Sequence, residues 1–320
     1  MVMKRRLGYY VLGEGGAIDS MLLKEELTPE SQEELNRLVQ VVLELQPIQI
    51  AYEVLEGNYQ DLERTIGLMA SERPADNMGP LMIEEALEGL YTATQRVVNI
   101  LATFNSFLVL TQDVLKRIDP NAAAEFEGAR NKLHTESFAY RFLYLLRNFS
   151  QHSGLPIGGT QLHLSREKSA EPFRQRSSIY ILRDKLLGTS FDWKSSRKTL
   201  EEQAQKFDVL PLLVEQRSIA NRLFSVAIAT QAIPLAECSR YIDVLLALIR
   251  LPSGAVPVVF IGDSLDPKFP PKGWELVPVQ QLRSLAEAHR RALSLADPQS
   301  LGNPGRSQSE VQHPPASMRG

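Results

Sequence analysis

The chain has 320 residues with a formal net charge of −3; hydrophobic residues make up 43% and charged residues 23%, which excludes a wholly disordered or collagenous protein. Its single cysteine, Cys238, cannot form an internal disulfide, so the sequence excludes a disulfide-stapled secreted scaffold and favours a reducing, cytoplasmic location. The most apolar segments, 97–110 and 223–236, contain polar residues and fall short of the roughly 20 apolar residues that cross a bilayer, so we expect a soluble protein with no membrane partner.

Residues 28–156 are predicted to form an antiparallel helical bundle, preceded by an N-terminal extension at 1–27. Apolar residues recur at helical spacing in four stretches. These are Thr28 to the helix-breaking Pro47, Ile48 to about Ser71, about Pro80 to Ile118, and about Ala122 to Gln151. The connection between the last two is short, so we expect those helices to pack antiparallel and bury their apolar stripes against each other.

Residues 157–296 are predicted to form a smaller mixed α/β C-terminal region. The patterns indicate strands at 161–164, 178–182 and 256–261, and helices at 195–207, 211–231, 235–251 and 278–295. This region is either a second domain or an extension of the bundle. Residues 297–320 are rich in Pro, Gly, Ser and Gln and are predicted to be a disordered tail. The expected fold class is therefore mainly α.

Charge is distributed unevenly along the chain. Residues 1–120 contain 10 Lys or Arg against 19 Asp or Glu, whereas residues 130–200 contain 13 basic residues against 5 acidic ones. A basic surplus of this kind attracts polyanions such as RNA by releasing their counterions. The alternative is that these charges only solvate the surface.

One motif carries recognisable chemistry, at the end of the fourth predicted helix, where Arg147, Asn148 and His152 are followed by Gly154 and Pro156. A guanidinium can neutralise a phosphate, and an imidazole can move a proton near neutral pH. On a continuous helix Arg147 and His152 would lie about 140° apart, but Gly154 and Pro156 predict a frayed end from which His152 can turn back toward Arg147. Arg-x4-His with Asn after the Arg is expected by chance only about 0.01 times in such a chain.

This arrangement resembles the signature of the HEPN superfamily (higher eukaryotes and prokaryotes nucleotide-binding). The resemblance covers about residues 80–156, and Gly154 stands where one common version of the pattern has Tyr. It implies a helical bundle, a homodimer that pairs two copies of the motif, and in many members a metal-independent endoribonuclease of toxin–antitoxin or other defence systems. The implied partners are RNA, a second copy of the chain, and an antitoxin or regulatory protein.

The resemblance also implies roles for individual residues. His152 would act as general base toward a ribose 2′-hydroxyl or as acid toward the leaving 5′-oxygen, and Arg147 would stabilise the charge on the phosphorane. Asn148 would orient the phosphate or His152. Tyr144, Arg141 and Gln151 are candidate substrate-binding residues. The product would carry a 2′,3′-cyclic phosphate, and no metal or other cofactor is expected.

A structural role for the motif is the competing interpretation. Arg147 could cap helix carbonyls or pair with an acidic residue, and His152 could be a cation placed at a helix C-terminus by the macrodipole. The protein would then be a non-catalytic helical interaction or scaffold protein. Outside the motif, we expect His134 to be a surface or packing residue, Cys238 to fill space, and Trp193 either to be buried or to stack on a base.

Overall fold

The computed structural model describes residues 4–13, 18–69, 81–165, 174–262 and 273–296. These residues form nine α-helices and seven strands. The helices are α1 Pro29–Met69, α2 Leu81–Ile118, α3 Pro120–Glu136, α4 Phe138–His152, α5 Arg183–Leu187, α6 Arg197–Glu201, α7 Leu210–Ala229, α8 Ala232–Ile249 and α9 Val279–Leu295. The strands are β1 Lys4–Leu12, β2 Ile18–Glu26, β3 Gly159–Ser165, β4 Arg174–Leu182, β5 Lys206–Asp208, β6 Ala255–Gly262 and β7 Gly273–Leu276. The predicted mainly α fold class is confirmed.

The largest hydrophobic core lies among the helices. α1 and α2 pack along each other, and α3, α4, α7 and α9 complete the same buried cluster, which includes Leu45, Phe104, Leu143, Leu223 and Leu285. This cluster draws residues from both sides of position 156. The predicted division of the chain there stays a prediction, but the bundle and the C-terminal helices share one core.

Two helix boundaries differ from the predicted ones. α1 continues through Pro47, although proline removes one backbone hydrogen bond from a helix. Burial of the flanking Leu45 and Ile48 in the core offsets that cost of about 3 kcal/mol. The predicted helix from Ala122 to Gln151 is instead two helices, because Ser137 adopts an extended backbone conformation between α3 and α4.

A four-stranded antiparallel sheet, ordered β2-β1-β6-β7, pairs the first two strands of the chain with the last two described strands. Leu7 and Val259 are paired in register and pack with the N-terminal half of α1 and with α8. Cys238 is buried in the same cluster, where it fills space as predicted. The strand at 256–261 is confirmed, whereas no element was predicted within the first 27 residues.

The second sheet is antiparallel with the order β3-β4-β5. β3 and β4 confirm the strands predicted at 161–164 and 178–182. The helix predicted at 195–207 is wrong beyond Glu201, because Lys206 and Phe207 pair with Leu182 and Ile181 of β4. A contact with a strand distant in sequence therefore overrides the local helical pattern.

Two described segments, Pro29–Leu68 and Leu87–Ile118, are long and apolar enough by composition alone to cross a membrane. Core helices of soluble proteins pass the same test, and 39% and 50% of their most apolar windows are already buried inside the protein. The predicted disordered tail at 297–320 lies outside the described residues.

Candidate nucleic-acid interface

The motif lies on α4, and Ser137 fixes where this helix begins. The Ser137 hydroxyl accepts a hydrogen bond from the backbone N–H of Tyr140, 2.9 Å away, as an N-cap does, and donates one to the carboxylate of Glu215 on α7. The helix then runs without interruption to His152. Ser137 thus ties the first turn of the motif helix to the C-terminal half of the protein.

An aromatic cluster holds the inner face of α4. Trp193 is fully buried, and its ring centroid lies 5.6 Å from that of Phe142 and 5.5 Å from that of Phe149. The Trp193 indole N–H donates to the carbonyl of Leu186 at 3.3 Å. Of the two expectations for Trp193, burial is therefore confirmed, and its ring packs against the inner face of α4.

The opposite face of α4 is open to solvent and carries all six predicted site residues. With about 100° of rotation per residue, they occupy an arc of about 140°: Arg147, Gln151, Tyr144, Asn148, Arg141 and His152, in that order around the helix. Each is half-buried or exposed, whereas seven of the remaining residues of α4 are buried. The structure therefore brings the six together on one surface.

Arg147 lies at one edge of this surface. Its Nη1 donates a hydrogen bond to Oδ1 of Asn148 at 3.1 Å. Its Nε is buried, and among the described residues it has no hydrogen-bond partner. The guanidinium is thus held by its neighbour in sequence, and no carboxylate in the described part of the chain forms an ion pair with it.

His152 lies at the other edge and is exposed. His152 is the last residue of α4 and Ser153 is the C-cap, so His152 lies at the helix terminus as expected, but this terminus is not frayed. The backbone N–H groups of Ser153 and Gly154 both donate to the carbonyl of Phe149, which keeps the last turn closed. Arg147 and His152 therefore leave the helix in directions about 140° apart, and the Arg147 side chain bends back toward Asn148.

Arg141 has a structural contact that the sequence analysis did not foresee. Its Nη1 donates to the carbonyl of His134 at 3.0 Å and to that of Thr135, which satisfies carbonyls at the C-terminal end of α3. Tyr144 is 39% exposed and Gln151 is exposed. These two side chains are accessible to a ligand.

His134 of α3 lies beside this surface, where it is exposed and packs against an aromatic ring, as expected of a surface or packing residue. Its ring lies edge-on to Tyr140, with centroids 5.2 Å apart. Burial lowers the pKa of His134, and the positive charges of Arg141 and Arg130 lower it further. Its spacing of four residues from Arg130 on one helix is the sequence signal that could have identified the pair.

The charge of the open face is positive. α4 contains Arg141, Arg147 and His152 and no acidic residue. A basic face of this kind attracts anions.

No protein-family model matches the chain, and neither a curated protein nor a solved structure matches it. Within the part of the chain that the structure describes, no three His, Cys, Asp or Glu residues lie together where they could hold a metal ion.

Proposed function

We propose that the protein binds and cleaves RNA at the open face of α4, as a cytoplasmic, metal-independent endoribonuclease of a defence or stress system. The observation that supports the proposal is that apolar and basic side chains lie on different faces of α4. Apolar residues face the core, while Arg141, Arg147 and His152 face solvent without an acidic residue on the same helix. The resemblance of the motif to HEPN proteins supports the same assignment.

In the proposed reaction His152 removes the proton of a ribose 2′-hydroxyl, and the 2′-oxygen attacks the adjacent phosphorus. The bond from phosphorus to the 5′-oxygen then breaks, and a protonated imidazole supplies the proton of the leaving oxygen. Arg147 stabilises the extra negative charge of the phosphorane. The products are a 2′,3′-cyclic phosphate and a 5′-hydroxyl.

The proposed site uses two copies of α4. Because Arg147 and His152 lie at opposite edges of one convex face, a single phosphate contacts both more readily when His152 comes from a second chain. A two-fold homodimer pairs the same face of both chains and turns two convex faces into one cleft. An antitoxin or regulatory protein would act by covering that cleft.

A non-catalytic scaffold is the second candidate, and one contact favours it. Arg147 has a buried Nε and a hydrogen bond to Asn148, so part of its guanidinium already serves the fold. In this case the open face of α4 would bind a partner without cleaving it.

Cleavage of RNA by the purified protein in EDTA decides between the two. The wild-type protein should generate 2′,3′-cyclic phosphate ends, detected by mass spectrometry, and Arg147→Ala and His152→Ala should each lose that activity while keeping their helical circular dichroism. Arg290→Ala, at an exposed position on α9, is the matched control. An inert wild-type protein, or full activity in either motif variant, would contradict the enzyme proposal.

A further inference from the structure

A second group of cationic and aromatic side chains adjoins the motif, where α3 meets α4. Arg141 binds the carbonyl of His134, and the His134 ring contacts that of Tyr140. Arg130 lies one turn before His134 on α3, and Tyr144 lies one turn after Tyr140 on α4. Arg130, His134, Arg141 and Tyr144 therefore group around the contact between His134 and Tyr140. We call these four residues the junction cluster.

The junction cluster contains two guanidinium groups, those of Arg130 and Arg141. After burial, their positive charges are the further causes that lower the pKa of His134. Glu127 lies 3.6 Å from Arg130, but both side chains reach solvent and such a pair is weak. Arg141 also offsets the partial negative charge of the last carbonyls of α3, which would otherwise repel a phosphate.

The cluster is aligned with the motif along the axis of α4. Arg141, Asn148 and His152 fall within about 40° of one another around the helix, so they form a stripe parallel to its axis. Eleven residues separate Arg141 from His152, which corresponds to about 16 Å along the helix. A ligand that extends along this stripe can contact both groups, whereas a single nucleotide at one end cannot.

We infer that the junction cluster is a second RNA subsite. Its cations hold a backbone phosphate, and the exposed ring of Tyr144 stacks on an unpaired base. The scissile phosphate of the same RNA strand lies at Arg147. This inference rests on the proposed function and adds Arg130 and His134 to the RNA-binding residues. The ligand is single-stranded, because only an unpaired base offers its flat face to a tyrosine on an open surface. The RNA strand therefore runs parallel to the axis of α4, from the motif toward α3.

Binding of two RNA lengths tests the inference, measured by fluorescence anisotropy in a His152→Ala background that prevents cleavage. The probes are a uridine dinucleotide and an oligouridylate of about twelve nucleotides. Tyr144→Ala should weaken binding of the longer RNA at least about fivefold through lost stacking. The dinucleotide, which spans only the motif, should bind the Arg130→Gln variant as it binds the parent. Arg130→Gln should weaken the longer RNA and lower the slope of log K against log salt by about 0.7, as expected for one lost phosphate contact.

Two control variants distinguish loss of this subsite from misfolding or from damage to the motif. Tyr144→Phe keeps the aromatic ring and should bind the longer RNA as the His152→Ala parent does. Arg290→Gln removes an exposed charge on α9 and should not change the slope of log K against log salt for the longer RNA. If the longer RNA binds but neither Tyr144→Ala nor Arg130→Gln weakens it, the second subsite is wrong and the motif site stands. If neither RNA binds, the proposed function fails and the subsite fails with it.

Discussion

Arg147 and Asn148 are neighbours on the open face of α4, and the amide oxygen of Asn148 accepts a hydrogen bond from Nη1 of Arg147 at 3.1 Å. Consecutive residues on a helix point about 100° apart, so this contact requires the arginine side chain to fold back over the surface toward Asn148. The guanidinium is thereby directed across the face that carries Tyr144 and His152. In the proposed site, Asn148 would therefore position Arg147.

Asn148→Asp should weaken RNA binding more than Asn148→Ala does. The carboxylate keeps the acceptor but adds a negative charge next to Arg147, so it pairs with the guanidinium and repels phosphate. Asn148→Ala removes the hydrogen bond to Arg147 but adds no negative charge. Affinity for RNA in low and high salt, measured by anisotropy, checks this order, and equal affinities for the two variants at low salt would contradict it.

Mixing two inactive variants should restore cleavage if the active site combines Arg147 of one chain with His152 of the other. A dimer of one Arg147→Ala chain and one His152→Ala chain retains one site with both residues intact. Random pairing then yields about a quarter of the wild-type number of sites. The measurement is cleavage by the variants co-refolded in equal amounts. Each variant refolded alone is the control, and a mixture no more active than either alone would place both residues of a site in the same chain.

The sequence predicted the helical part of the fold well, because strong apolar periodicity and core burial act together there. It failed at Pro47 and at Ser137, where tertiary contacts outweigh or redirect the local pattern. It also missed β1 and β2, since a hairpin near the N-terminus becomes part of a sheet only through pairing with β6, more than 240 residues later in the chain. Pairing over such distances leaves no local signal.

For the candidate site, the sequence could predict which residues share the face of α4, because their spacing on a helix fixes that. It could not predict that Arg141 caps α3, or that His134 lies beside Tyr140, because both depend on how two consecutive helices fold back on each other. The turn at Ser137, which sets that angle, was itself not predicted. The relation of Arg147 to His152 depended on whether the last turn frays, and that turn keeps its backbone hydrogen bonds up to His152.

Glu56→Gln should destabilise the protein far more than Glu63→Gln. Glu56 is buried and accepts a hydrogen bond from Nε of Arg217 at 3.0 Å, whereas the side chain of Glu63, which pairs with the same arginine, is 61% exposed. Replacing the buried Glu56 leaves the charge of Arg217 poorly compensated, which should lower the free energy of unfolding by about 3 to 5 kcal/mol. Replacing the exposed Glu63 should lower it by less than about 1 kcal/mol. Urea unfolding at neutral pH measures the free energy of unfolding of both variants. Similar losses would show that the buried ion pair stabilises the protein no more than the exposed one.

His134 should make the protein less stable in acid. Burial and the adjacent Arg130 and Arg141 lower its pKa in the folded state below the ordinary value of 6.5, so the unfolded chain takes up protons first as the pH falls. Its contribution is fully present above pH 6.5 and is lost as the pH falls through the folded-state pKa. His134→Gln should therefore lose less stability than the wild type between about pH 7.5 and 5, as measured by urea midpoints. An identical loss in both proteins would show that His134 does not couple folding to protonation.

Trp193→Ala should destabilise the fold by about 3 to 5 kcal/mol, because it removes a fully buried ring that contacts Phe142 and Phe149 of α4. Trp274 provides a matched control in the same chain, since it is 44% exposed and its replacement by alanine should cost much less. Urea unfolding followed by circular dichroism measures both variants. If the aromatic cluster orients the motif helix, Trp193→Phe should keep most of the stability yet weaken RNA binding, whereas Trp274→Ala should leave RNA binding unchanged. Equal destabilisation by the two alanine variants would contradict the anchoring role of Trp193.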